Sequence, residues 1–368
     1  MKLNKIARED ILKPLSSVSG IVERKHTLPI LSNVLLEQRG QRFWMTAMDM
    51  EIQVSAFCDI PVSEEQAITV SARKFQDLLR ALPEGAQISL DTQGSKMNVQ
   101  AGRSRFHLQT LPATDYPRLS TGDDQSIKIS LTQKNLRALL RQVEFAMAQQ
   151  DIRYYLNGML WVIDGSTLQL VATDGHRLAW AQLPVEGSFN HKEVILPRKT
   201  VIELSKLLTD NEEEIVHLEI FSNCVRFSFA SIEIISKVVD GKFPDYNRVI
   251  PSGYTCHVNI DRLLLFAALQ RAAILSNEKV RGVHLVLTKN ELKIICSNNE
   301  QEEAEEQLEV VYDGDDLNIG FNITYLLDVL QRLTSGHVVF SFGSVNDSAL
   351  ITNPDQKDYK YVVMPMRI

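Results

Sequence analysis

The chain has 368 residues, 44% of them hydrophobic, with 39 Lys and Arg against 46 Asp and Glu and a net charge of −7. That length and apolar content predict two or three folded domains, each burying its own core, and exclude a fibrous or largely disordered chain. The polar start Met1-Lys2-Leu3-Asn4-Lys5 does not read as a signal peptide, and no apolar run approaches a membrane-spanning length. Cys58, Cys224, Cys256 and Cys296 form no C-x-x-C pair, so a reduced, cytoplasmic protein with incidental thiols and no metal or cofactor is expected.

In chain order, an amphipathic helix is predicted over residues 8–18, then a pair of strands with a tight turn, a second helix over 72–82 and two or three closing strands. The turn-rich Ser120-Thr121-Gly122-Asp123-Asp124 follows, and the order repeats. Helices are predicted over 132–147 and 198–208; between them Leu168–Thr173 and His176–Trp180 flank Asp174-Gly175, a hairpin signal. After Pro251-Ser252-Gly253 the order returns a third time, with helices over 260–274 and 322–333. Positions recur in register: Leu79, Leu204 and Leu330 at steps of 125 and 126 (79 to 204, 204 to 330), and Asp49, Asp174 and Asn299 at steps of 125. The strand pairs Leu35-Leu36, Met159-Leu160 and Val283-His284 recur at steps of 124. A domain-sized period implies three folded copies of one α+β unit, placed at 1–125, 126–253 and 254–368.

Charge is unevenly spread. In the helix opening the second copy, Leu136, Leu139, Leu140 and Val143 define the buried stripe, while Lys134, Arg137 and Arg141 occupy another face. Other helices carry Lys13, Lys74, Arg80, Lys199, Lys206, Arg262, Arg271 and Arg332, and acids gather in Glu300-Gln301-Glu302-Glu303-Ala304-Glu305-Glu306. Helices gathered on one side would give an acidic protein a basic face. Arg103 and Arg105 share a face if Gly102–Leu108 is a strand, with Phe106 as an apolar anchor; Glu303 and Glu305 share a face near the other end. Opposite charge thus stands at opposite ends of the chain, a pattern that suits an electrostatic contact between two copies.

Several stretches carry a family resemblance: Thr27-Leu28-Pro29-Ile30-Leu31, Arg153-Tyr154-Tyr155-Leu156-Asn157-Gly158, Ala172-Thr173-Asp174-Gly175-His176-Arg177-Leu178, Phe243-Pro244-Asp245-Tyr246, Ala272–Lys279 and the ending Tyr361–Ile368. Together they span the chain in family order and resemble the bacterial sliding clamps, the beta subunits of DNA polymerase III. The resemblance implies three tandem DNA-clamp domains, helices on one face and antiparallel sheets outside. It also implies a head-to-tail homodimeric ring that encircles double-stranded DNA without reading its sequence and tethers the polymerase. A topological link reconciles net negative charge with DNA, because only the lining must be basic.

The resemblance also implies roles for residues. Leu156, Thr173, Gly175, His176, Arg177 and Leu178 would line a groove for short peptides of the polymerase catalytic subunit, the clamp loader and other partners. The groove would be completed by Pro244, Arg248, Val249, Ser348 and the ending Val362, Val363, Met364, Pro365, Met366 and Arg367. Arg24, Lys25, Gln150, Arg153, Tyr154 and Tyr155 would touch DNA. Arg103, Arg105, Phe106, Ile274, Leu275, Glu303 and Glu305 would form the dimer seam. The residues themselves leave two alternatives: a hydrolase using Asp174 and His176, and a monomeric peptide-binding scaffold. Against the first, Asp49 and Asn299 have no matching histidine, and the chain has no P-loop, H-E-x-x-H or cysteine–histidine zinc spacing. The expected protein is therefore a polymerase accessory subunit with no catalytic residues of its own.

Overall fold

The computed structural model describes residues 1–23, 28–60, 65–122 and 126–368. The first copy runs β1 (Lys2–Ala7), α1 (Arg8–Ser19), β2 (Asn33–Arg39), β3 (Arg42–Met48), β4 (Ile52–Cys58), β5 (Gln66–Ser71), α2 (Ala72–Ala81), β6 (Gln87–Gln93), β7 (Lys96–Ala101) and β8 (Ser104–Pro112). The second runs β9 (Ile127–Thr132), α3 (Gln133–Val143), β10 (Gly158–Thr173), β11 (Arg177–Pro197), α4 (Arg198–Leu207), β12 (Ile215–Ile220), β13 (Cys224–Phe229) and β14 (Ile232–Lys237). The third runs β15 (Cys256–Asp261), α5 (Arg262–Ala272), β16 (Gly282–Thr288), β17 (Glu291–Ser297), β18 (Glu303–Glu309), β19 (Leu317–Asn322), α6 (Ile323–Arg332), β20 (His337–Phe342), β21 (Ala349–Thr352) and β22 (Tyr359–Val363). The three copies are tandem α+β domains of one plan. Leu79, Leu204 and Leu330 are fully buried, which is why the helical leucines keep their period.

The pair of strands predicted between the two helices of each copy is what forms in the middle copy and half of what forms in the outer two. The outer copies place four strands there, and the middle copy fuses them into the long partners β10 and β11, paired from Gly158↔Pro197 to Thr173↔Leu178 with irregularities near Gly165. The turn acid also shifts in the third copy. Asp49 and Asp174 follow directly on their strands and accept backbone N–H groups of the turn, but in the third copy Asn298 does this, accepting from Glu300 and Glu302. Asn299 instead accepts from the Asn277 amide, because this turn is longer. The helices expected over 132–147 and 260–274 stop at Val143 and Ala272 and continue as short 3-10 turns, Glu144–Ala146 and Ala273–Leu275.

By contact density the chain forms two compact units, Met1–Arg137 with Lys199–Val238, and Ala138–Arg198 with Val239–Ile368. Hydrogen bonding across copies explains this division. In the first unit β4 pairs with β14, joining strands of copies one and two in one sheet of order β1-β6-β7-β8-β5-β2-β3-β4-β14-β13-β12-β9. In the second, β11 pairs with β22 in the sheet β10-β11-β22-β21-β20-β15, beside a smaller sheet β18-β17-β16-β19. Trp161, Tyr361, Phe43, Phe75, Phe227, Phe321 and Phe340 anchor the cores.

The basic helix faces are more heavily paired than helix spacing suggested. Lys134 bonds Glu212, Arg137 bonds Asp210, Lys199 bonds Asp49 and Glu23, Lys206 bonds Glu203 and Arg271 bonds Glu306. Apart from Glu203, which shares α4 with Lys206, these acids come from other elements, which a reading along one helix does not see. Among the described residues, Lys13, Lys74, Arg80 and Arg141 form no ion pair. The four cysteines are free, and burial pushes Cys58 up to about 12 and Cys296 up to about 11, so these two thiols are unreactive at neutral pH. Among the described residues no helix is long and apolar enough to cross a membrane.

Candidate functional site

The site begins at the turn between β10 and β11. Asp174 Oδ1 accepts the N–H groups of His176 at 2.9 Å and Arg177 at 3.0 Å, and Thr173 Oγ1 accepts that of Gly175 at 3.0 Å while donating to the Arg177 carbonyl at 2.6 Å. Gly175 has φ +90, a conformation that favours glycine, and a Cβ there would have to push aside the Arg153 guanidinium, 2.9 Å away. The register then places Leu178 opposite Val362 of β22, and Met364 N–H donates to the His176 carbonyl at 2.9 Å.

Above this floor lies a cavity of about 290 Å³, near the lower end of the usual range for ligand pockets. Of the residues assigned to a groove from sequence, Leu156, Thr173, Gly175, Arg177 and Leu178 line it from one side. Pro244, Val249, Val362 and Met364 close the other. Its base is continuous with a core holding Leu156, Leu178, Phe243, Tyr246 and Val362. Val249 is 43% and Met364 45% exposed, so apolar surface faces the opening.

The other assigned residues stand outside the cavity lining. Val363 is fully buried, one step along the strand from Val362, where alternation turns it away. His176 and Arg248 are exposed, and Arg248 pairs with Asp245 at 3.0 Å. Ser348 accepts the Tyr254 hydroxyl at its carbonyl. Beyond Met364 the chain leaves the groove: Met366 N–H donates to the Gly320 carbonyl at 2.9 Å, and Ile368 packs where a Cβ on Gly282 or Gly320 would stand. Pro365 and Arg367 lie on that departing stretch. Phe243 and Tyr246 also line the cavity; sequence reasoning took only Pro244 from the same four-residue match.

Of the residues assigned to DNA, Arg24 and Lys25 lie outside the described residues. Arg153 belongs to the cavity rim, bonded to Asp151 at 2.9 Å and to the Asp174 carbonyl at 3.3 Å. Hydrogen bonds from the Arg153 side chain and backbone hold the Asp151 carboxyl down to about 2. Gln150 is exposed with φ +57, and Tyr154, 59% exposed, stands edge-on to Tyr155 with centroids 5.9 Å apart.

The assigned seam residues lie on two strand edges. Residues 104–109 of β8 pair with β7, and β5 meets β8 only at Thr110–Pro112, so that stretch has an open edge among the described residues. It carries Arg105 and the half-buried Phe106; Arg103 falls in the preceding turn, so strand alternation does not align it with Arg105. β18 is the end strand of its sheet, with Glu303 and Glu305 on one exposed face and Glu305 3.4 Å from Lys293. Ile274 is 78% exposed and Leu275 half-buried.

The Asp174 carboxylate offers no acid–base pair. It is taken up by the backbone of its own turn and by Arg177 Nε at 3.0 Å, and its contact with His176 is to the backbone N–H.

Three domain profiles of the DNA polymerase III beta subunit match in order: the N-terminal domain over residues 1–120, the central domain over 130–245 and the C-terminal domain over 247–367. The chain is 47% identical over 365 residues to the beta sliding clamp of Pseudomonas aeruginosa, covering 99% of each. It superimposes on the crystal structure of the DNA polymerase III subunit beta from the same organism with a TM-score of 0.96 at 46% identity, each chain fully covered. A second structure of that organism's clamp, bound to griselimycin, matches with a TM-score of 0.95 at 46% identity over the whole of both chains. The chain belongs to the beta sliding clamp family of DNA polymerase III beta subunits.

Proposed function

We propose that two copies of this chain close head to tail into a ring around duplex DNA, and that the groove above the paired ends of β11 and β22 tethers the replicative polymerase and other partners to that ring. The observation that carries the reading is the unbroken match to the three clamp domains, in order, over nearly the whole chain. The open edge of β8 beside Arg105 and that of β18 beside its glutamates suit one another in charge and in unpaired backbone groups, and joining them leaves neither edge exposed. The chain takes the part of a cytoplasmic accessory subunit and brings no catalytic residues of its own. Its domains are assigned to 1–125, 126–253 and 254–368. The groove would bind the leucine or phenylalanine anchors of short peptides, each worth about 1.5–3 kcal/mol when fully buried. DNA contact would fall to Arg24, Lys25, Gln150, Tyr154 and Tyr155, with Arg153 serving the groove.

The test is topological. Loaded by a clamp loader, the protein should stay on circular DNA through a salt wash and be lost when the circle is cut. Equal retention on circular and linear DNA overturns encirclement. Griselimycin, the ligand of the related clamp, should compete with a partner peptide for the groove; simultaneous binding of both would place the peptide elsewhere.

A further inference from the structure

Arg177 stands at the head of the groove with little of its guanidinium left for a ligand. Nε donates to Asp174 Oδ2 at 3.0 Å, Nη1 to Asp328 Oδ2 at 2.5 Å and Nη2 to the Phe145 carbonyl at 2.7 Å. The guanidinium carbon lies 5.2 Å from the ring centre of Phe145 and 4.4 Å from that of Tyr325. Only 12% of the side chain is exposed. What it turns to the cavity is therefore chiefly its apolar stem. Its backbone is equally committed, to Asp174, to Thr173 and to β22.

Asp328 and Tyr325 belong to α6, and neither lines the cavity. They hold Arg177 from a segment 151 residues away. The same helix is tied a second way, since Gln142 donates to the Arg332 carbonyl at 3.1 Å and its side chain also meets the Tyr361 hydroxyl. Tyr361 immediately precedes Val362, a wall of the groove. Both walls are thus braced against α6, one through Asp328 and Arg177, the other through Gln142 and Tyr361.

Resting on the groove reading above, we propose that Asp328 is a positioning residue for peptide binding. It fixes Arg177, and through it the β10–β11 turn, in the shape the peptide requires, and it does so without touching the peptide. Without the Asp328 carboxylate, Nη1 loses its charged partner in a largely buried setting and the guanidinium is drawn toward the open groove, where it competes with an apolar anchor.

The experiment measures binding of a fluorescently labelled synthetic peptide carrying leucine and phenylalanine anchors to the full chain. Asp328→Asn should weaken binding about tenfold, mainly through faster dissociation, because a supporting shell sets how well a site is preorganised. Arg177→Met should lose a similar amount, and the double variant should lose no more than the worse single one. Affinity within about twofold of the parent for Asp328→Asn, or simple addition in the double variant, overturns the proposal. A purely structural role would lower the melting temperature while leaving affinity unchanged well below it. If Asp328→Asn does not fold, Tyr325→Leu carries the test, with about threefold weaker binding expected from the lost cation–ring contact and unchanged affinity counting against the proposal. Leu178→Ala in the groove wall separates the two readings. If it too leaves affinity unchanged, the groove itself is misassigned. If it weakens binding while Asp328→Asn does not, only the positioning role falls.

Discussion

The groove in the second compact unit has a counterpart in the first, and the two differ in whether the chain fills them itself. The strand pairing is the same. Met364 N–H donates to the His176 carbonyl just as Lys237 N–H donates to that of Glu51, so Val362 corresponds to Ile235. Asp245-Tyr246 corresponds to Asp115-Tyr116, and hence Val249 to Leu119. In the first unit Leu119 packs at once against Leu31, Leu35, Met48 and Tyr116 and against Phe221, Cys224 and Ile235. Its own N–H is held by Gln53 at 3.0 Å. In the second unit Leu178 replaces Gln53, the Val249 N–H donates instead to the Tyr246 carbonyl at 3.0 Å, and the shorter Val249 borders a cavity. A leucine and an amide thus fill in the first unit what a valine and a leucine border in the second. The local backbone differs as well, a 3-10 turn running over Ala113–Asp115 before the first tyrosine but over Tyr246–Arg248 from the second.

The largest effect should come from unplugging the closed joint. Leu119→Ala is expected to cost about 2 kcal/mol, the low end for large-to-small changes because the side chain is only half-buried, read by urea unfolding. Amide protection should fall in β14 and stay intact in β22; equal loss in both would mean the joints are not independent. Plugging the open one comes next. Val249→Leu gives the groove the residue that fills its counterpart and should weaken partner-peptide binding about tenfold, or about 1.4 kcal/mol, by fluorescence anisotropy. Unchanged affinity would show that the equivalence is one of sequence only.

A smaller difference separates the two tyrosines. The Tyr116 hydroxyl accepts the Met48 N–H at 3.1 Å and donates to the Asn33 carbonyl at 3.3 Å, whereas Tyr246 donates to Gln169 at 3.1 Å. Tyr116→Phe strands a buried N–H and should cost about 2 kcal/mol, against about 1 kcal/mol for Tyr246→Phe, in matched unfolding experiments. Burial pushes both phenols up, so neither titrates near neutral pH. The smallest effect concerns the rim. Asp151 is held down to about 2, below its ordinary range, so its bond to Arg153 favours the folded loop above that range and is lost only as pH falls through about 2. A carboxyl resonance titrating near 4 would show that the rim loop is unpaired in solution.

These contrasts mark what the sequence could tell. Repeating leucines located the paired helices because each of Leu79, Leu204 and Leu330 must be buried wherever its copy sits. The turn at Asp174 was legible because its chemistry is local: a carboxylate accepting the N–H groups two and three residues on, and a glycine with positive φ. Half of the strands between the helices of the outer copies were missed because the clear hairpin signal at Asp174 lies in the middle copy, where β10 and β11 each run through what the outer copies divide in two. The acids that meet Lys134 and Arg137 come from Glu212 and Asp210, beyond any helical spacing. The same distance hid Asp328 and Tyr325, which brace the groove from the far end of the chain. Val363 was grouped with Val362 because adjacency in sequence does not show which face a strand turns.

The position of β11 has a mechanical consequence. It is an interior strand, laddered to β10 on one side and β22 on the other, and Arg177 and Leu178 at its head help form the groove. A pull applied there along the strand axis loads both ladders in shear, so many hydrogen bonds share the force and none can peel away first. An anchor built on an edge strand would have a single ladder to carry the same load. A line made fast at this point would part at the knot before it tore the post.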